Sequence, residues 1–541
     1  MVAAFAAVLC GALLPTSARP RKSITDVIHR TIDLHPLCVQ VIDTPEYQRL
    51  RNVGQLAACR WVFPGAVHDR LQHSLGVAHL ASSWATHFRR VQPDLGVTDK
   101  DVLCVTLAGL LHDLGHGPFS HLWEGQFLSA AAMPLESRPP AHEELSCAIF
   151  DRMLVRNGID PSPWLEPSDL EFVKALIRGA PLTPCADPIA MRMGESGVLG
   201  SDKRFLYDIV ANQRSGFDVD KLDYFERDCH FAGTVKVSFD RPRLMAQARV
   251  ALVRKDSQRD GDATSPPTLQ IAWPIKCVFE VLQVFVTRFS LHYELYQHRV
   301  VAAIGLMLRD ALLLADTSAS FRVYGGSDGT VALRLSECGG ARDGGLEGYM
   351  QLSDDVLALI RSEACRQRAT NAGEDVDQKL QAAAALLLRL DRRELYRFAG
   401  SVTFDAGYDV PNIANVVDDL IELGDGHLRP EVLRAEIRRV HCGQGPNNPL
   451  ERIRFFENKA PAAAGEGDAR IEAQPLLEAR AHPSASYAAR LPSAFEERSL
   501  RVYVTEDDAL PAAEAAFSKW CDGRSLCNVD GVCFIGSATR S

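Results

Sequence analysis

A mostly α-helical fold with a smaller mixed α/β lobe at the carboxyl end is the architecture this sequence predicts, and three observations predict it. Over residues 24–250 apolar side chains recur at helical spacing, broken by short polar or Pro/Gly stretches and with little strict alternation. Helical spacing returns at 376–390 and 510–520, whereas only 321–335 and 499–505 read as short strands. The third is length: 541 residues exceed what one ordinary hydrophobic core supports, so a large core with an added lobe is expected.

Three stretches read as loops or linkers: 254–267, 339–345 and 460–486, the last rich in Ala, Pro, Gly and Glu. They divide the chain into an apolar amino-terminal tail (1–21), a core (22–253), its continuation with a regulatory lobe (268–458), a linker (459–490) and a carboxyl-terminal segment (491–541). The first fourteen residues are apolar, but no basic residue precedes Phe5, so they read as a tail or a weak targeting segment. No apolar run approaches the length of about 18 residues that a membrane helix needs, and no membrane association is expected.

The formal net charge of −10 excludes a protein that is basic all over, but an anion pocket needs only a local concentration of Arg and Lys. Fourteen cysteines scattered without paired spacing fit reduced thiols inside the cell, in nucleus or cytoplasm. The late group Cys521, Cys527 and Cys533 has no zinc spacing and reads as ordinary thiols.

The chemistry is concentrated at His112-Asp113. Asp99 stands as a plausible N-cap before an apolar run through Leu111, so the pair falls at the end of a buried helix that Gly115 and Gly117-Pro118 break. Neighbours on a helix point about 100° apart, and the two can meet one ion only where the helix end reorients them. With His73 before them and Asp220 after, imidazole and carboxylate donors suit a divalent transition metal, which polarises a phosphoryl oxygen and acidifies water. His116, His121 and His142, with Glu124, supply groups that donate to phosphate and exchange protons near neutral pH. A lone His-Asp pair would more often be a capped helix end, but the whole cluster reverses that reading.

Residues 70–76 (RLQHSLG), 111–121 (LHDLGHGPFSH), 218–224 (DVDKLDY), 227–230 (RDCH) and 291–298 (LHYELYQH) resemble, in order, the SAM-and-HD-domain deoxynucleoside triphosphate triphosphohydrolases of the HD superfamily. The similarity runs from about Lys22 to Arg397, with no counterpart of that family's SAM domain. It implies a helical HD core in which His73, His112, Asp113 and Asp220 ligate Fe, Mn or Zn, with Mg accompanying the nucleotide phosphates. It further implies that His116, His121 and His142 line the phosphates, with His121 at the leaving ribose oxygen. Arg70, Lys221, Tyr224 and Arg288 would hold triphosphate and sugar, and Asp228, His292 and Tyr296 would lie near the sugar. Gln55 and Leu56 would leave little room for a ribose 2′-hydroxyl. The implied reaction cleaves a deoxynucleoside triphosphate to deoxynucleoside and triphosphate, controlling dNTP levels. Glu124 departs from the family's Asp; if that carboxylate serves His121, the added methylene alters the rate.

The same resemblance implies dGTP or GTP activation of a homotetramer. Lys22, Asp43, Gln48 and Arg51 match the guanine-selective activator site, and Arg243, Lys276, Arg393 and Arg397 match basic positions of a neighbouring nucleotide site. That second site is altered: Pro274 replaces an Arg, Gln247 a Phe, and Ser23 and Thr25 replace Val and Asn. Two other readings stay open. One is a different HD phosphodiesterase or nucleotidase, against which Lys221, Tyr224, Arg288, Tyr296 and His298 count. The other is a catalytically weakened regulator that binds nucleotides or single-stranded nucleic acid.

Overall fold

The computed structural model describes residues 22–180, 203–253, 268–370, 376–457 and 491–524 together with Leu526. Within these the fold is mostly helical with small sheets, as predicted. The expected linkers at 254–267 and 460–486, the tail at 1–21, Cys527 and Cys533 lie outside the described residues.

Two long helices carry the centre of the molecule. Arg70–Val91 and Asp99–Leu111 run against each other, and Gly109 permits the close approach, since a Cβ there would stand 3.1 Å from the Val77 carbonyl oxygen and 3.2 Å from the Ala78 Cα. The Asp99–Leu111 helix forms as the apolar spacing indicated, but its N-cap is Thr98. The Thr98 hydroxyl accepts from the Asp101 amide while the Asp101 carboxylate accepts from the Thr98 amide. Asp99 is therefore the first residue inside the helix, one place after the expected boundary, because Thr98 and Asp101 complete a reciprocal capping pair that Asp99 has no partner to form. Val219–Ala232 packs on the other side of Arg70–Val91, capped by Asp218 at its start and by Gly233 in a left-handed conformation at its end.

Other helices follow the sequence closely: 376–390 is observed as Gln378–Asp391 and 510–520 as Leu510–Asp522. The strands expected at 321–335 and 499–505 are the short hairpin Val323–Gly325 with Val331–Leu333 and the long strand Glu496–Val504. Periodicity missed the hairpin Lys22–Asp26 with Arg30–Leu34, whose β-branched pairs Ile24-Thr25 and Thr31-Ile32 lie inside the stretch read as helical. It also missed Arg249–Val253, which pairs with Thr268–Pro274 and through it with Arg454–Phe456. The stretch 339–345 is a tight turn in which the Gly339 amide donates to the Gly345 carbonyl.

One buried core extends from Ile32 to Tyr503, with Trp84, Trp123 and Trp273 inside it. A second lies in the carboxyl-terminal lobe, where Glu496–Val504 is the middle strand between Arg397–Phe404 and Leu433–His441, antiparallel to both. Ile413–Leu423 and Leu510–Asp522 cover this sheet through Leu420, Phe517 and Trp520. No described helix is long and apolar enough to cross a membrane. Cys38, Cys59, Cys147, Cys229, Cys277, Cys338 and Cys442 are free and buried, and Cys365 is free and exposed.

Thr98→Ala removes the cap that starts the helix leading to His112. We expect a loss of about 1 kcal/mol of stability, read as a lower urea midpoint with an unchanged slope.

Candidate metal and nucleotide site

His73 stands on the first turn of Arg70–Val91, His112 caps the end of Asp99–Leu111, Asp113 follows it, and Asp220 lies in the first turn of Val219–Ala232. Three helix ends thus bring four donors to one point. His73 Nε2 is 3.0 Å from Asp220 Oδ1 and 3.4 Å from Asp113 Oδ2; His112 Nε2 is 3.4 Å from Asp113 Oδ1 and 3.5 Å from Asp220 Oδ1. Ligand bonds of about 2.0–2.2 Å in tetrahedral to octahedral geometry put donor atoms about 3.0–3.5 Å apart, so the spacing fits one transition-metal cation. His112 Nε2 is moreover buried with no hydrogen-bond partner, an orphaned donor of the kind a metal satisfies.

The outer ring nitrogens are fixed. His112 Nδ1 lies 2.9 Å from the Gly109 carbonyl oxygen, and His73 Nδ1 lies 2.7 Å from Asp223 Oδ2. Both contacts keep the proton on Nδ1 and leave the Nε2 lone pair facing the centre. Asp223 is itself fully buried, receives His29 Nε2 at 2.5 Å, and is gripped by Arg227, whose guanidinium also binds Asp26. Burial alone would raise its pKa, but Arg227, His29 and His73 hold the carboxyl well below the usual carboxylate range. The glycine of the RLQHSLG motif belongs to this arrangement: a Cβ on Gly76 would come within 1.9 Å of Asp223 Oδ1.

The turn after the pair is built from distant parts of the chain. Arg49 is buried and donates to the carbonyls of Leu114, His116 and Leu352. Ser146 Oγ accepts from the Gly115 amide and donates to the His112 carbonyl, both at 2.8 Å. Phe119 and Ser120 both have positive φ, 58° and 54°, a conformation that costs on the order of 1–2 kcal/mol per residue. Asp354 holds them, accepting from the Phe119 amide at 2.7 Å and the Gly54 amide at 3.0 Å.

Beyond the turn the histidines form a stack. The His116 ring lies 4.0 Å from that of His142, nearly parallel, and His121 packs edge-on to His116 at 4.9 Å. Burial, then Arg70 and His142, push His121 down to about 4, so it is neutral at pH 7 in the free protein. Glu124 sits on a π-helical turn, Trp123–Leu128, and pairs with His142 Nδ1 at 3.1 Å. The Glu124 hydrogen bond goes to His142, and its carboxylate also groups with His116 and His121, ligand atoms of the three lying within 4.8 Å of one another. Burial opposes protonation of His142, but Glu124 raises its pKa above the ordinary histidine value.

A cavity of about 950 Å³ joins His112, Asp113 and Asp220 to all the substrate residues named from sequence: Gln55, Leu56, Arg70, Lys221, Tyr224, Asp228, Arg288, His292 and Tyr296. Asp228 is held between His68 Nε2 at 2.7 Å and the Tyr296 hydroxyl at 2.5 Å. Arg70 donates to Asp113 at 2.6 Å and to the Ser120 hydroxyl, Lys221 to Asp218, and Arg288 to the His441 carbonyl. In the free protein these cations are thus parked on internal partners.

The residues matched to the first activator site also converge. Lys22 Nζ lies 3.9 Å from Asp43, Gln48 donates to the Ile42 carbonyl, and Arg51 donates to Gln48 at 2.7 Å. The second set is less compact: Arg243 pairs with Glu280, beside Lys276 at Cys277, whereas Arg393 donates to the Trp61 carbonyl and Arg397 faces Asp507 at 3.6 Å.

Paired His and Asp side chains on three helix ends, above a histidine-lined turn, are the arrangement of an HD-domain phosphohydrolase centre, and residues 70–178 match the HD domain model. The chain is 33% identical over 519 residues to the deoxynucleoside triphosphate triphosphohydrolase SAMHD1 of Homo sapiens, covering 93% of this chain and 74% of the human protein. The Danio rerio protein of the same name is 32% identical over 526 residues, covering 94% and 75%. The SAMHD1 homolog of Dictyostelium discoideum is 25% identical over 511 residues, covering 94% and 82%. The chain belongs to the SAMHD1 family of deoxynucleoside triphosphate triphosphohydrolases.

Sequence reasoning did not single out Asp223, Arg49, Ser146 or Asp354. Asp223 had a signal, since it follows Asp220 by three residues and so shares its helix face. The others act through backbone groups far away in sequence, and no spacing reveals that.

Asp223→Asn leaves His73 Nδ1 without its anionic partner; metal content of the purified protein, titrated against a chelator, should show affinity weakened by about 10–100-fold. Glu124→Gln should lower the His142 pKa. Because the Glu124 pair raises that pKa, its stabilisation is complete below the ordinary histidine value and lost as pH rises through the raised one. Urea midpoints of parent and variant should therefore differ near pH 6 and converge at alkaline pH.

Proposed function

We propose that this protein is a divalent-metal-dependent hydrolase that splits deoxynucleoside triphosphates into deoxynucleoside and triphosphate, and that a guanine nucleotide activates it as a homotetramer. The observation that carries the reading is the one cavity lined by His112, Asp113 and Asp220, with His73 packed directly behind them, together with Arg70, Lys221 and Arg288 and the Asp228–Tyr296 pair. Triphosphate and sugar can be held there at once. The names of the relatives, each a deoxynucleoside triphosphate triphosphohydrolase, agree with it.

His73, His112, Asp113 and Asp220 would hold Fe, Mn or Zn, which when bound supplies Lewis acidity toward a phosphoryl oxygen and acidifies water. Arg70, Lys221 and Arg288 exchange their internal partners for phosphate oxygens, with Mg accompanying the outer phosphates. Water adds to the phosphorus nearest the sugar and the bond from that phosphorus to the ribose 5′ oxygen breaks. His121 donates the proton that the departing oxygen requires, the water oxygen stays with the triphosphate, and the proton that the water gives up replaces the one His121 has lost. His121 is neutral in the free protein, so the polyanion that packs against it must raise its proton affinity as it binds. Gln55 and Leu56, both buried at the cavity wall, leave no ready place for a 2′-hydroxyl beside Asp228 and Tyr296.

Lys22, Asp43, Gln48 and Arg51 form the guanine-reading activator site, and Arg243, Lys276, Arg393 and Arg397 contribute to a neighbouring one assembled between subunits. A ligand that contacts two chains stabilises only the associated state, so activation and assembly rise together. Nucleus or cytoplasm is the proposed location, in keeping with the unpaired thiols.

Metal-loaded protein incubated with dATP should release deoxyadenosine and triphosphate, resolved by chromatography, only when dGTP is present. His112→Ala with Asp113→Ala should reduce the rate by at least about three orders of magnitude. Full activity in a dilute, demonstrably monomeric sample would remove the tetramer, and turnover without dGTP would remove strict guanine activation.

A further inference from the structure

The far wall of the catalytic cavity comes from the carboxyl-terminal lobe. Glu436, Ile437, Arg438 and Arg439 of the Leu433–His441 strand line the same cavity as the metal donors. The strand is pinned there: Gln297 donates to the Arg439 carbonyl at 2.9 Å, Arg501 donates to the Gln297 carbonyl at 2.6 Å, and Arg288 donates to the His441 carbonyl. Arg438 is buried, lies 4.2 Å over the Tyr293 ring and pairs with Glu497.

Charge compensation singles out two residues. Arg70, Arg178, Lys221 and Arg438 each line the cavity facing a carboxylate. Arg288 and Arg439 face none among the described residues, and Arg439 is exposed at the rim. Their field is felt between them, where burial and then Arg288 and Arg439 push His441 down to about 4. Lys221 follows the ligand Asp220 directly, Tyr224 is neighbour to both Lys221 and Arg288, and His441 joins Arg288 to Arg439. Cationic residues of the cavity lining therefore make a line of neighbours from Lys221, beside Asp220, to the carboxyl-terminal sheet. A phosphate chain with its first phosphorus at the metal, laid along this line, delivers its last phosphate to the two uncompensated guanidiniums.

We propose that Arg439, together with Arg288, grips the terminal phosphate of the substrate, so that the carboxyl-terminal lobe measures phosphate-chain length. The proposal rests on the triphosphohydrolase reading. Arg439 is a specificity residue, remote from the bond that breaks, and its loss acts on binding of the longest chain alone.

The test uses the full metal-loaded chain with Arg439→Ala, Arg439→Glu and Arg439→Lys, read by dATP kinetics with dGTP and by calorimetric binding of inorganic tripolyphosphate and pyrophosphate. For Arg439→Ala we expect KM for dATP and the tripolyphosphate Kd to rise together by about tenfold, the size of one charge-assisted hydrogen bond. kcat and pyrophosphate binding should stay within twofold, Arg439→Glu should be worse, and Arg439→Lys should recover most of the loss. A structural role would instead lower the melting temperature and weaken both polyphosphates alike, and that result overturns the proposal. So does turnover by Arg439→Glu with parental KM and tripolyphosphate affinity. If the parent binds tripolyphosphate through Arg439 yet hydrolyses no dNTP, the hydrolysis reading fails and this recognition stands.

Discussion

Asp223 holds four hydrogen bonds on two oxygens, and the geometry of the metal site descends from them. Oδ2 takes His73 Nδ1 and the Arg227 Nε; Oδ1 takes His29 Nε2 and the second arm of the same guanidinium. His29 belongs to the turn of the amino-terminal hairpin, His73 to the Arg70–Val91 helix, and Asp223 and Arg227 to Val219–Ala232. A buried charge with this many partners is costly to disturb, because removing any one leaves the others uncompensated in a medium of low dielectric. The hairpin and two helices are consequently fixed in mutual orientation before any ion arrives, and His73 presents its inner nitrogen at a defined angle.

The candidate donors His112 and Asp113 and the histidine turn stand out in the sequence because they occupy a short motif at the end of a helix whose apolar spacing is unambiguous. Reading Asp99 as the cap failed by a single residue, since a cap is decided by which side chain closes a reciprocal pair, and Thr98 with Asp101 does so. The strands Arg397–Phe404 and Leu433–His441 were not legible because their pairing partner, Glu496–Val504, lies far away in the chain, and the hairpin at 22–34 was missed because its strands are short and strand propensity is settled by packing. Likewise the partners of the substrate residues could not be read. That Arg70 rests on Asp113, or Arg288 on the His441 carbonyl, depends on contacts across 43 and 153 positions.

Those resting contacts bear on how the cavity works. An arginine left bare in a half-buried pocket would need water, and water would have to leave when a polyanion enters. Held on internal acceptors, the same side chains trade one oxygen for another, so the cost of ordering them has been met in folding. Two π-helical turns widen this design, since Trp123–Leu128 places Gln126 on the cavity wall and Glu124 on His142, and His292–Tyr296 places His292 and Tyr296 on that wall. Each inserts an extra residue in a helix and re-aims the side chains that follow.

Asp354 gives the histidine turn its shape from 235 positions downstream, accepting the Phe119 amide while Phe119 and Ser120 sit in a left-handed conformation. All four metal donors precede residue 221, so a polypeptide cut after Val253 would contain every ligand and yet lack the acceptor that keeps this turn from relaxing. The matched HD segment, 70–178, is therefore a recognisable unit of ancestry without being a self-sufficient unit of geometry. Evolution can lengthen or trim what lies outside the folded body, but any rearrangement that separates the first half of this chain from Asp354 would erase the site without touching a single ligand.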